Sequence, residues 1–131
     1  MLSGCAVLII EDEPLIAMMV EDAMTEAGAA IAGVAATVAE ALAAIDSGSC
    51  DAAALDLNLA GEDAGRVADA LAAHGVPFAF VSGYHTHPAM TAHPAAPALR
   101  KPFDPDDLVS TLARLVGQAR CRPSGAHRGP A

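Results

Sequence analysis

Short apolar runs alternate along this chain with longer segments in which apolar residues recur every three or four positions. The continuous runs predict strands that are buried on both faces, and the helically spaced segments predict amphipathic helices between them. The predicted strands are Ala6–Ile10, Ala30–Ala35, residues 52–57, residues 77–82 and Ala98–Arg100. Strands and helices that alternate in this way form a parallel sheet with right-handed crossovers and helices on both faces, so the pattern predicts a doubly wound α/β fold.

Local signals mark the ends of the predicted helices. Pro14 suits the first turn of the first helix, and Gly28 suits a left-handed stop at its end. Thr37 and Glu40 form a capping-box pattern that opens the second helix, and Asp104 opens the last one. The predicted buried stripe of the first helix consists of Ile16, Met19, Val20, Ala23 and Ala27.

Residues 83–97 interrupt the regular alternation of strands and helices. Their three prolines leave room for at most a turn or two of helix, so the fourth helix is predicted to be short or disordered. No cysteine lies near the histidines of this segment, and we expect them to be solvated and not to bind a metal. These histidines are His85, His87 and His93.

The composition indicates one compact domain and argues against several classes of function. With 131 residues, 53% of them hydrophobic, the chain can bury one core, and we predict a domain over residues 1–119 and a disordered tail over residues 120–131. The net charge of -9 offers no basic surface to nucleic acid or to an anionic membrane. The three cysteines show no paired spacing, so we expect reduced thiols. The chain begins without a basic signal-peptide region, and we expect a cytoplasmic location.

Polar side chains stand where four of the predicted strands end. Glu11 and Asp12 follow the first strand, Asp56 lies near the end of the third, Ser82 ends the fourth and Lys101 follows the fifth. Ligands of such sheets bind beyond the carboxyl ends of the strands, so we expect these five side chains to converge on one edge. A carboxylate inside an apolar run, such as Asp56, is costly to bury unless a cation or hydrogen-bond donors satisfy it.

Three neighbouring carboxylates predict a divalent cation. Two carboxylates a few ångströms apart repel by about 4 kcal/mol at an effective dielectric near 20, so three of them need compensating charge. Mg²⁺ suits a set of oxygen ligands, since it keeps several waters and also accepts phosphate oxygens. Lys101, the only lysine of the chain, adds a further positive charge.

Three motifs give the chain its resemblance to the response-regulator receiver domain, the phosphoaccepting module of two-component signalling. Residues 7–14 (VLIIEDEP) resemble the family's acidic-pair strand, residues 55–59 (LDLNL) its phosphoacceptor strand, and residues 100–103 (RKPF) its Lys-Pro-Phe turn. The resemblance covers residues 5 to 118, nearly all of the predicted domain. It implies a five-stranded flavodoxin-like sheet with strand order 2-1-3-4-5.

The resemblance also implies a role for each residue of the predicted site. Asp56 would take a phosphoryl group from the phosphohistidine of a sensor histidine kinase or a histidine phosphotransfer protein. Asp12, Asp56 and the carbonyl of Asn58 would ligate Mg²⁺, and Glu11 would hold a metal-bound water. Lys101 matches the lysine that pairs with the phosphoryl oxygens, and the bond between it and Pro102 is often cis in the family.

The chain departs from the family pattern in residues that concern signalling. Ser82 matches the hydroxyl residue that bonds the phosphoryl oxygens but replaces the commoner Thr, and Ala98 stands where many receivers carry an aromatic switch. Residues 77–84 (PFAFVSGY) resemble those of an alphaproteobacterial subgroup of stand-alone receivers whose fourth strand ends in a Thr-Gly-Tyr type sequence. Without the aromatic switch, we predict that the loop of residues 83–97 becomes ordered on phosphorylation and that Tyr84 shields the acyl phosphate.

Two other classes of function stay open. A pseudo-receiver would bind partners without being phosphorylated. A Mg²⁺-dependent phosphohydrolase with an aspartyl nucleophile would need a second acid two residues after that nucleophile, where this chain has Asn58. We therefore expect no enzymatic activity beyond self-phosphorylation and slow self-dephosphorylation. We also expect output through contact with a downstream protein, or as a phosphate reservoir, and no binding of nucleic acid or membrane.

Overall fold

A parallel sheet lies at the centre of the computed structural model, which describes residues 2–59, 61–83 and 86–120. The strands are β1 (Ala6–Ile10), β2 (Ala30–Ala35), β3 (Ala52–Asp56), β4 (Asn58–Leu59), β5 (Glu62–Asp63), β6 (Phe78–Ser82) and β7 (Ala98–Arg100). The helices are α1 (Pro14–Glu26), α2 (Val38–Asp46), α3 (Gly65–Ala73), α4 (Pro88–Ala92) and α5 (Pro105–Arg120). Five strands pair in parallel in the order β2-β1-β3-β6-β7. When these five are counted alone, the order is the predicted 2-1-3-4-5.

Alternate residues of each central strand face opposite sides of the sheet, and helices cover both sides. Val7 and Ile9 of β1 pack with buried side chains of α1 and α5. Leu8 and Ile10 pack with buried side chains of α2, α3 and α4. The predicted doubly wound α/β fold, with helices on both faces, is confirmed.

The helix ends follow the local signals with one difference. Pro14 opens α1, and Gly28 adopts φ +95° just beyond it, where a Cβ would come within 2.8 Å of the Ser3 hydroxyl oxygen. At α2, the Thr37 hydroxyl accepts the amide of Glu40 at 3.1 Å. The Glu40 carboxylate accepts the amide of Ala36 at 2.8 Å. In a capping box it would accept the amide of Thr37, one residue later.

The strands β4 and β5 pair as a small antiparallel hairpin, where the sequence predicted only a turn. Gly61 has φ +81°, a conformation that glycine adopts without strain. Leu57 and Leu59 on either side of Asn58 are buried, so this segment is anchored in the core.

The fourth helix is short, as predicted, because α4 has five residues. The histidines beside it are not simply solvated. The His87 ring nitrogen Nδ1 accepts the amide of Ala89 at 3.0 Å. His93 Nε2 lies 2.8 Å from Asp69 Oδ1, and its ring lies against Phe78 with the centroids 5.7 Å apart. These contacts attach α4 to α3 and to the sheet, while His85 and Tyr84 lie outside the described residues.

The described part of the chain ends with α5. α5 reaches Arg120, and the predicted disordered tail otherwise lies outside the described residues. The domain boundary therefore stays a prediction. Cys5 and Cys50 form no disulfide within the described ranges. Within the described ranges, no helix combines the length and the apolar character that a membrane crossing requires.

Candidate functional site

Two acidic side chains after β1 meet the acid at the end of β3. Hydrogen bonding places β1 directly beside β3, with Ile10 opposite Leu55, so Glu11 and Asp56 emerge at the same edge of the sheet. Carboxylate oxygens of Glu11, Asp12 and Asp56 lie within 4.8 Å of one another. Glu11 and Asp56 are buried, with 5% and 2% of their surface exposed, whereas Asp12 is half-buried. The structure thus brings together the three acids that the sequence placed on this edge.

Both oxygens of the Asp56 carboxylate have hydrogen-bond donors. The amide of Asn58 donates to Oδ1 at 3.0 Å, and Lys101 Nζ donates to Oδ2 at 3.2 Å. The amide of Leu57 donates to the Val81 carbonyl at 3.1 Å, which extends the contact between β3 and β6 past Asp56. These bonds compensate the cost of burying the carboxylate and hold it in one orientation.

Lys101 reaches the acids from the other side of the site. Its Nζ lies 3.5 Å from Glu11 Oε1, and its amide donates to the Ser82 carbonyl at 2.9 Å. The bond from Lys101 to Pro102 is cis. Ser82, the last residue of β6, is only 1% exposed and pairs in register with Arg100 of β7. The last residue of β6 and the first residue after β7 are therefore fixed to each other by the backbone.

The crowded acids change the protonation equilibria of the site. Burial, followed by the hydrogen bond and the charge of Asp56, raises the pKa of Glu11 from 4.5 to about 7. Burial by itself lowers the pKa of Lys101, but its contacts with Asp56 and Glu11 outweigh that effect and raise the pKa above 10.5. Near neutral pH, Lys101 is charged and Glu11 is only partly ionised.

The donor set fits a hard divalent cation. Three carboxylates offer one oxygen each within a small volume, and one lysine does not neutralise them all. The hydrogen bond between the Asn58 amide and Asp56 keeps the backbone of Asn58 beside these oxygens, while its side chain is exposed. Glu11, Asp12, Asp56 and the Asn58 carbonyl are therefore suited to hold Mg²⁺ or its bound waters, and their roles as ligands stay predictions.

Helix α1 exposes an apolar surface that the sequence pattern did not indicate. Leu15, Met18 and Met19 are 75%, 57% and 52% exposed. Met19 was expected in the buried stripe, which is wrong, because the fully buried positions of α1 are Ala17, Val20 and Met24. Ile16 and Met19 each precede one of these buried residues by one position, so they lie at the border of the buried face of α1. With Lys101, Pro102 and Phe103 they line an apolar pocket of about 340 Å³.

Comparisons with known proteins agree with the fold and the motifs. The sequence pattern of the family described as the response regulator receiver domain matches residues 7–113. SdrG from Sphingomonas melonis Fr1 is 42% identical, with a TM-score of 0.73 over 86% of this chain and 96% of that chain. A search of curated proteins finds no significant match.

Two structures of PhyR are also similar. The PhyR receiver domain from Erythrobacter litoralis is 31% identical, with a TM-score of 0.72 over 88% of this chain and 92% of that chain. PhyR from Brucella abortus is 28% identical, with a TM-score of 0.78 over 94% of this chain and 52% of that chain. This chain therefore spans about half the length of the Brucella structure.

Proposed function

The chain belongs to the response regulator receiver domain family, and on that premise we propose that Asp56 accepts a phosphoryl group from a phosphohistidine. The donor would be a sensor histidine kinase or a histidine phosphotransfer protein. The observation that carries the proposal is a buried Asp56 carboxylate 3.2 Å from Lys101 and within 4.8 Å of two further acids. A carboxylate needs such compensation to stay ionised in a buried position and to act as a nucleophile.

The proposed reaction is a displacement at phosphorus. An oxygen of Asp56 forms a bond to phosphorus while the bond from phosphorus to the donor's imidazole nitrogen breaks, and the imidazole leaves with the bonding electron pair. Catalysis of such a transfer rests on positioning and on positive charge around the phosphoryl oxygens. Lys101 would pair with one of these oxygens, and the Ser82 hydroxyl would donate a hydrogen bond to another. Mg²⁺ bound at Glu11, Asp12, Asp56 and Asn58 would supply the rest of the charge.

The apolar surface of α1 supports transfer from a protein donor. Met19 lines a pocket together with Lys101 and Pro102, and Leu15 and Met18 are exposed on the same helix. A partner that covers Met19 would therefore lie next to the site. Exposed apolar side chains that cluster in this way favour protein contact. We place the donor on this surface.

The output of the module is proposed to be protein contact or storage of a phosphoryl group. The net charge of -9 supports this, because duplex binding needs clustered basic residues. Ala98 lies exposed on β7 and has no ring to move, so the aromatic switch common in the family has no counterpart at this position. We propose no enzymatic activity beyond self-phosphorylation and slow self-dephosphorylation. A cytoplasmic location also stays a prediction.

Incubation with acetyl phosphate and Mg²⁺, followed by mass spectrometry, tests the proposal. The wild type should gain one phosphoryl group on Asp56, and Asp56→Asn should gain none. EDTA should abolish uptake, because the charge of the donor and of the acids is then not compensated. Phosphate on Ser82, on a histidine or on Glu11 would contradict the assignment. A wild type that stays unmodified under all donors would favour the pseudo-receiver alternative.

A further inference from the structure

A long-range hydrogen bond connects the β4–β5 hairpin to the start of α2. Glu62 Oε1 accepts the amide of Val38 at 3.1 Å, across 24 residues of sequence. Val38 is the first residue of α2, where backbone amides have no partner within the helix. The Thr37 hydroxyl accepts the amide of Glu40, and the Glu40 carboxylate accepts the amide of Ala36. The Val38 amide therefore receives its acceptor from the hairpin and not from its own cap.

The same hairpin leads directly to the proposed phosphoacceptor. Glu62 pairs with Leu59 across the hairpin, and Asn58 pairs with Asp63. The amide of Asn58 donates to Asp56 Oδ1 at 3.0 Å. Three consecutive links therefore join α2 to the Asp56 carboxylate, namely the Glu62 side chain, the hairpin pairing and the Asn58 amide.

A cavity borders the hairpin on the side of α4. Its volume is about 500 Å³, and its lining includes Asn58, Gly61, Glu62, His87 and Ala89. The hairpin is held from the other side, where buried Leu59 packs in the same cluster as Val38 of α2. A loop with space on one side depends on the contacts of its other side for its position.

We propose that Glu62 is a positioning residue for phosphoryl transfer at Asp56. By accepting the Val38 amide, its carboxylate fixes the hairpin and so sets the backbone of Asn58 beside Asp56. Both groups of Asn58 that matter are backbone groups: its amide, which holds Asp56, and its carbonyl, which is suited to the cation. This inference rests on the proposed function of Asp56 but concerns a residue 6 positions away that does not touch the transferred group.

The test compares Glu62→Ala, Glu62→Gln and Thr37→Ala with the wild type. Thr37→Ala is the matched control, because it removes a cap from the same end of α2 without touching the hairpin. The measurements are the rate of Asp56 phosphorylation by acetyl phosphate, the Mg²⁺ concentration that gives half of that rate, and hydrogen exchange of the Asn58 amide in EDTA. The last one reports on the hairpin without metal and without phosphorylation.

Glu62→Ala should lower the phosphorylation rate about fivefold, the factor that corresponds to the loss of one capping hydrogen bond. It should also raise the required Mg²⁺ concentration and speed exchange of the Asn58 amide. Glu62→Gln should keep all three values at the wild-type level, since the side-chain oxygen of glutamine still accepts the backbone amide of Val38. Thr37→Ala should lower the free energy of unfolding and leave the three values unchanged.

Two results would overturn the inference. One is a Glu62→Ala protein with the wild-type rate and wild-type Asn58 exchange. The other is a Thr37→Ala protein that changes as much as Glu62→Ala, because Glu62 would then act only through the stability of α2. A wild type that accepts no phosphoryl group would instead refute the function of Asp56 itself, while Asn58 exchange would still report whether Glu62 positions the hairpin.

Discussion

Replacement of Glu11 by glutamine should stabilise the metal-free protein at neutral and alkaline pH. The folded chain holds the Glu11 proton up to about pH 7, whereas the unfolded chain releases it near pH 4.5. Between these values the native state binds more protons than the unfolded state, so its stability falls as the pH rises. The difference in the pKa of Glu11 between the two states contributes about 3 kcal/mol to the free energy of unfolding. This contribution is fully present below pH 4.5 and is lost as the pH rises through 7. Glu11→Gln stays neutral at every pH and avoids this loss.

Urea denaturation in EDTA at pH 5, 6, 7 and 8 measures the effect as a difference between the two proteins, so that other titrating groups largely cancel. The advantage of Glu11→Gln should be small at pH 5 and grow to about 3 kcal/mol at pH 8. Glu26→Gln, at an exposed acid at the end of α1, should show no such trend. Saturating Mg²⁺ should shrink the difference at pH 8, because a bound cation compensates the ionised carboxylate. A difference that stays constant from pH 5 to 8 would refute the reasoning.

Four further predictions concern Lys101, the α1 surface, residues 83–97 and Tyr84. Lys101→Met should lower the free energy of unfolding at pH 8 by about 1–3 kcal/mol in urea titrations, since Asp56 then loses a buried donor. Arg114→Met, which removes an exposed cation from α5, should leave the free energy of unfolding unchanged. A Met18→Ser, Met19→Ser double variant should accept the phosphoryl group more slowly from a phosphorylated partner protein, but as fast as the wild type from acetyl phosphate. An equal loss of rate with both donors would show that α1 is not the docking surface. Beryllofluoride with Mg²⁺ should increase hydrogen-exchange protection over residues 83–97, and unchanged protection there would mean that this loop is not the switch. If Tyr84→Ala leaves the dephosphorylation rate unaltered, Tyr84 does not shield the acyl phosphate.

The length of α4 could be predicted from the sequence, but its contacts could not. Its prolines predicted a short helix correctly, because proline acts on the backbone of its immediate neighbours. The partners of His93 were not predictable in the same way. Asp69 lies 24 residues earlier, on α3, and the two meet only because α3 and α4 pack on the same face of the sheet.

The buried face of α1 could also be predicted only in part from the sequence. Its apolar spacing predicted the helix and its approximate buried side, because Ile16, Ala23 and Ala27 pack partly buried against the core that contains Val20. The spacing did not indicate that Ala17 and Met24 are buried. Contact with the sheet and with α5 selects Val20 and Met24 and leaves Met19 half exposed. The width of a buried stripe depends on the neighbouring elements, which the periodicity of one helix does not contain.

The sequence by itself determined the order of strands and helices and the edge at which Glu11, Asp12, Asp56, Ser82 and Lys101 meet. Hydrophobic periodicity is a local property, and parallel strands must bring their carboxyl ends to one edge, so no long-range detail was needed. Only the tertiary structure decided the raised pKa of Glu11 and the bond from Glu62 to Val38. Both depend on the depth of burial and on distances between elements far apart in the chain, which packing alone fixes.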